Sequence, residues 1–202
     1  QPLVLLYLTL GMALLGLWDD ATASPAIRGW RGHLGTLARE GRLTSGGLKL
    51  LAGSLLALGA AALSRAGLGE VVVDAALIAL SANALNLVDT GPGRAAKLFL
   101  PAAAAATVLA PRTEAHLLMP LVGAVAVFLP RDLAERSMMG DAGANALGAA
   151  VGLVVAWNLA FPARVAAVAM LAGFGLLCDR VSLGRLIARW APLEVLDRLG
   201  RR

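Results

Sequence analysis

Apolar residues run along this chain in stretches of roughly 17 to 20, the length a helix needs to cross the hydrocarbon of a bilayer, with short polar breaks between them. These stretches predict helical spans at 2–18, 47–64, 71–88, 95–110, 116–130, 144–161 and 163–179. The period-two alternation of a strand is absent, so the expected fold is all-α, a polytopic transmembrane helical bundle of about seven spans. No break is long or polar enough to read as a soluble domain or a low-complexity linker. Residues 1–202 therefore read as a single integral-membrane domain, with a loop at 19–46 and an amphipathic tail at 180–202.

Composition agrees with the pattern. The chain is 58% hydrophobic and 15% charged, with a mean hydropathy of +0.75, too apolar for a domain that keeps a hydrated surface. It begins with Gln, and its first span starts at once, without a basic lead or a small-residue cleavage site. That start predicts an incomplete N-terminus, with further spans upstream. The lone Cys178 excludes an internal disulfide.

Charge adds orientation. If the spans alternate in direction, all but Arg65, Arg112 and Arg164 of the 18 basic residues fall on one side of the membrane. By the positive-inside rule that side is cytoplasmic, which places a multi-pass protein in the cell membrane. The same distribution accounts for the net charge of +5 through topology and anionic lipid headgroups, so no nucleic-acid partner is expected.

The acids sort to that same side. Asp19 and Asp20 end the first span in "GLWDD", Asp89 ends the third in "NALNLVDTGPG", and Asp141 precedes the sixth in "MGDAGANALG". Each has a plain reading: an Asp pair can end a helix, Asp141 can cap one, and polar side chains can bond between helices. Asn83, Asn86 and Asp89, spaced i, i+3 and i+6, share one broad helix face, which is costly against lipid. Acidic sites from distant parts of the chain at one membrane face are what hard-cation chemistry requires, because Mg²⁺ takes a few carboxylate or amide oxygens together with waters and phosphates. Gly140 and Gly143 allow close backbone approach at a helix start, where unpaired N–H groups favour an anion. "DTGPG" does the same ahead of the span carrying Lys97. The combination predicts a magnesium-diphosphate site at the cytoplasmic interface.

These residues resemble the polyprenyl-phosphate N-acetylhexosamine-1-phosphate transferases, a family that includes the enzymes making the first lipid-linked intermediates of peptidoglycan, teichoic acid and N-glycans. Three of that family's motifs occur in order: the Asp pair in "GLWDD", the Asn-x-x-Asn-x-x-Asp stretch "NALNLVD", and the Met-Gly-Asp-x-Gly of "MGDAG". The resemblance implies an enzyme in which a polyprenyl phosphate attacks the β-phosphate of a UDP-N-acetylamino sugar, releasing UMP and leaving a lipid-diphosphate-sugar. It implies Mg²⁺, or Mn²⁺ in its place, as cofactor, with Asp141 and Asn86 as metal ligands and Asp19, Asp20 and Asp89 as the catalytic carboxylates. Asn83, Lys97, Gly140, Gly143, Arg28, Arg31 and His33 are the expected substrate contacts. Membrane lipids and a second copy of the chain, in a homodimer, complete the expected partners.

The chain also departs from the family pattern. Pro92 stands where a second acid is usual, Ala144 where Ser or Thr is usual, and no histidine lies between Cys178 and Arg202. Arg180, Arg185 and Arg189 stand there instead, and Arg185 and Arg189 share one face of an amphipathic segment, "SLGRLIARW", that reads as membrane-surface helix. The alternative function is a non-catalytic protein of this descent that binds polyprenyl phosphate or serves as a scaffold. A prenyltransferase would repeat Asp at three- or four-residue spacing, which "WDDATAS" does not. A carrier would place its charges near the midplane.

Overall fold

In the computed structural model, which describes residues 1–22, 45–109 and 113–201, the chain is helical and the described residues contain no strand. Seven helices occupy the predicted places: α1 (Pro2–Thr22), α2 (Ser45–Ala62), α3 (Leu68–Val88), α4 (Arg94–Leu109), α5 (Met119–Leu133, after a 3₁₀ turn at Thr113–Leu118), α6 (Gly140–Asn158) and α7 (Phe161–Arg180). Two short helices follow, α8 (Leu183–Arg189) and α9 (Ala191–Arg198). The breaks have local causes. Pro120 and Pro162 fall in the first turns of α5 and α7, where a missing N–H costs nothing, and Gly93 turns the α3–α4 loop at a φ of +71°.

The expected count of seven spans needs correction. Among the described residues, four helical segments are long and apolar enough to cross a membrane on their own: α1, α3, His116–Leu133 and α7. The apolar part of α2, Gly46–Ala62, reaches only about 25 Å at 1.5 Å per residue. With 16 residues, α4 is shorter still and contains Pro101. The third exception, α6, has 19 residues but opens with Asp141, Asn145 and several glycines. That polar start lies against α1, and continuous burial begins at Ala144. A second correction concerns boundaries: α1 continues to Thr22, so Asp19 and Asp20 lie on its last turns and do not begin a loop.

The core is built around α6, which packs against both α1 and α3. Residues 144–150 are buried without interruption, and Leu153, Val154, Ala156 and Trp157 follow them inside. Small side chains permit this. A Cβ on Gly148 would meet the Ser81 carbonyl oxygen of α3 at 2.4 Å, and one on Gly152 would meet the Ile78 Cα at 2.9 Å. The helices thus approach backbone to backbone, as small-residue stripes allow where lipid supplies no hydrophobic drive. Around this trio, α2 packs on α1 and α3, α7 packs on α3, and α4 flanks α6.

At the end of the bundle where α2 and α6 stop and α3 and α7 start, charge is paired inside protein. Asp74 of α3 is 1% exposed; Arg65 donates to its Oδ2 at 3.0 Å and Arg164 to its Oδ1. Arg164 also reaches Glu70 at 2.9 Å, and Arg65 donates to the Ala156 carbonyl at 2.7 Å. Trp157 Nε1 donates to Ser64 Oγ at 3.0 Å. Four helix ends are tied into one knot.

Candidate active site

At the opposite end, α1 finishes where α6 begins, and their backbones touch. A Cβ on Gly16 would lie 2.5 Å from the Ala142 backbone, so only glycine lets the two helices close there. One residue of the pair that follows then serves α6 directly: the Asp20 carboxylate accepts the N–H groups of Asp141 at 3.2 Å and Ala142 at 3.3 Å. This is helix capping supplied by another helix, with the negative charge at the favourable N-terminal pole. Gly140 sits at a φ of +65°, and a Cβ there would stand 3.0 Å from Asp20 Oδ2, so backbone conformation and close approach both call for glycine.

Asp19 turns the other way. It is 8% exposed and accepts Lys49 Nζ of α2 at 3.0 Å. Lys49 also donates to Asp141 Oδ2, so one ammonium bridges carboxylates from α1 and α6. Beside this bridge opens a cavity of about 580 Å³ between α1, α2, α3, α6 and α7. Its polar wall holds Asp19, Lys49, Asn83, Asn86, Asn145 and Asp179. Its apolar wall includes Met12, Leu15, Leu50, Leu80 and Leu176. Asn145 is held in place by donating to the Asp141 carbonyl at 2.6 Å.

Asp89, immediately after α3, belongs to the same electrostatic neighbourhood. Its pKa rises from the ordinary 3.8 to about 6, first because burial disfavours the charged form, then because Asp132 and, more weakly, Asp20 repel it; a hydrogen bond from the Gly140 backbone opposes the rise. Among the described residues its Oδ1 is buried without a hydrogen-bond partner, as is Oδ2 of Asp132, a residue only 1% exposed. Negative charge is in surplus here.

The structure thus brings Asp19, Asp20, Asp141 and Gly140 into mutual contact, places Asn83 and Asn86 on the adjoining cavity wall, and sets Asp89 within their field. Gly143 lies one turn into α6, where a Cβ would collide with Met139 Cγ at 2.4 Å. Lys97 has other partners: it donates to the carbonyls of Leu196 at 3.1 Å and Asp197 at 2.7 Å. It helps hold the tail, where Arg94 grips Asp197 through two bonds of 2.7 and 3.0 Å. These bonds and Arg201 pull the Asp197 pKa below the usual carboxylate range. Arg28, Arg31 and His33 lie outside the described residues.

Three site residues were not expected. Lys49 had counted only as a topology charge, although it is the single charged residue of α2. Asn145 stands one helical turn after Asp141, a spacing that places both on one face. Asp179 ends the last long helix and gave no motif.

Among the described residues, no three of His, Cys, Asp and Glu gather closely enough to ligate one ion. Mg²⁺ does not need such a cage, because one or two carboxylates, waters and substrate phosphates complete its shell. The available donors are all carboxylate and amide oxygens, and Asp19 and Asp141 already share one cation, the Lys49 ammonium. That donor set fits a hard divalent cation.

The family model described as glycosyl transferase family 4 matches residues 2–158, from the start of α1 to the end of α6. No curated protein and no solved structure matches the chain.

Proposed function

The chain belongs to glycosyl transferase family 4, a family of membrane phospho-sugar transferases, and from that premise we propose the acidic end of the bundle as a site that moves a sugar-1-phosphate onto a polyprenyl phosphate. The observation that carries this reading is the two-sided cavity. Its apolar wall suits an isoprenoid chain, and its polar wall of Asp19, Lys49, Asn83, Asn86, Asn145 and Asp179 suits a phosphate and its counter-ion. The proposed donor is a UDP-N-acetylamino sugar and the proposed face the cytoplasmic one, a reading supported by the basic residues Lys49, Arg94, Lys97, Arg131 and Arg180 near the helix ends on that side.

In this reaction an oxygen of the lipid phosphate forms a bond to the β-phosphorus of the donor. The bond from that phosphorus to the oxygen bridging the two phosphates breaks, and UMP leaves with the electron pair. A phosphomonoester is largely ionised near neutral pH, with a second pKa of about 6, so no strong base has to deprotonate it. The work left to the protein is to hold two anions in line and balance their charge. Asp19 and Asp20 fix the ends of α1 and α6 relative to one another. Asn83, Asn86 and Asn145 offer amide groups that orient without adding charge. Asp141 and Asn86 would hold Mg²⁺, which would neutralise charge on the donor phosphates.

The test is Mg²⁺-dependent exchange of labelled UMP into UDP-N-acetylglucosamine by purified protein with undecaprenyl phosphate, beside Asp141→Ala and Asp89→Ala. The reading predicts exchange in the parent chain and its loss in both variants. Binding of undecaprenyl phosphate without exchange, across a panel of UDP-sugars, would replace it with the non-catalytic lipid-binding function.

A further inference from the structure

The proposed cation and the Lys49 ammonium both call on Asp141, and Asp19 is the ammonium's second partner. Gly16 lets α1 and α6 close to backbone contact, and the capping bonds from Asp20 hold the start of α6 in place. Asp19 and Asp141 are thereby held near one another in a partly buried setting, where like charges repel without a positive partner. Lys49 is that partner: its side chain is 17% exposed, and it is bonded to Oδ2 of both acids. One positive charge set against two carboxylates leaves the pair undercompensated. A divalent ion compensates them fully.

We propose that Lys49 is an internal counter-ion that holds the Asp19–Asp141 pair together in the cation-free protein, and that a divalent cation enters by displacing it. The inference rests on the reading above and deepens it by naming what keeps the site assembled while empty. A lysine suits the task because its ammonium is a point charge on a flexible four-carbon stem, which can leave the carboxylates without any movement of α2. Once released, the ammonium stays beside the polar wall of the cavity, where the anionic substrate adds the negative charge that it then meets. Exchange of ammonium for cation thus couples metal entry to substrate charge. A guanidinium could not leave as easily, because it holds carboxylates through a rigid two-point fork.

The test uses the full chain in detergent with Mn²⁺ as the probe. Paramagnetic resonance of free Mn²⁺ gives the affinity of the parent and of Lys49→Gln, and removing the competitor is expected to tighten binding about tenfold. A second measurement on the unmodified chain separates displacement from a mere change of field: the rate at which an amine-reactive reagent labels Lys49, mapped by peptide mass, with and without Mn²⁺. Displacement predicts faster labelling, with a midpoint at the Mn²⁺ concentration that half-fills the site. Labelling unchanged or slowed while Mn²⁺ binds, or equal or weaker affinity in Lys49→Gln, overturns the inference and leaves the transferase reading standing. Mn²⁺ binding to neither protein removes the cation site itself, and both readings with it.

Discussion

The two ends of this bundle treat buried carboxylates in opposite ways. Around Asp74 both oxygens are taken by arginines, Arg65 and Arg164, and the knot also gathers Glu70 and the end of α6. At the other end four acids, Asp19, Asp20, Asp141 and Asp89, crowd the contact of α1, α3 and α6, with Asp132 acting on Asp89 from α5. A single lysine bridges two of them, and Asp89 and Asp132 each keep a buried oxygen without a partner among the described residues. At the paired end two arginines and two acids balance in charge, and the atom left over there is a donor, the buried Nε of Arg164, without a partner among the described residues. The surplus at the acidic end favours a proton on Asp89 and suits a cation.

The widest gap between the two ends should appear when single partners are removed. Asp74→Ala takes from the buried Arg164 and the partly buried Arg65 the carboxylate they share, and is expected to cost about 3–5 kcal/mol in denaturant unfolding in detergent. Replacing the set together, as Arg65→Met, Asp74→Leu and Arg164→Met, is expected to recover most of that loss, because well-packed apolar groups can substitute for a structural ion pair. Recovery would mark the paired end as scaffold. At the acidic end Gly140→Ala is expected to cost about 1–2 kcal/mol for its left-handed backbone, read in the same unfolding assay. Asp20→Ala, which removes the cap of α6, is expected to cost about 1 kcal/mol.

The smallest effect is a dependence on pH. Asp89 titrates near 6 in the folded protein, above its ordinary 3.8, so the fold binds this proton more tightly than the unfolded chain does. Its contribution is fully present below 3.8 and is lost as pH rises through about 6, so the cation-free protein should weaken across that window. Asp89→Asn should flatten the slope. Asp132→Asn, which removes the strongest charge acting on Asp89, should shift the window toward lower pH. Asp197 at the tail runs the other way: its pKa is depressed, so its contribution is present above the ordinary carboxylate range and is lost as pH falls.

The acidic end was largely legible in the sequence because its residues stand in short, regular spacings. "GLWDD", "NALNLVD" and "MGDAG" announce carboxylates and amides at helix ends, and topology alone puts them on one face. The paired end was not, since Asp74 lies inside an apolar run and its partners are 9 and 90 positions away. Lys49 was hidden by a similar ambiguity: one basic residue near a span end looks the same whether it anchors the helix to headgroups or bridges two acids. The span count failed for a different reason. Hydropathy cannot tell whether a neighbour is lipid or protein, so α6, polar at its start and wrapped by α1 and α3, looks like a poorer copy of α7, which is mostly exposed.

The most direct measurement is UMP exchange in three proteins side by side: the parent chain, the apolar replacement of Arg65, Asp74 and Arg164, and Asp141→Ala. The account predicts Mg²⁺-dependent exchange in the first two, because the paired end only supports the fold, and none in the third. Exchange that persists in Asp141→Ala, or its absence from the parent chain, would contradict it.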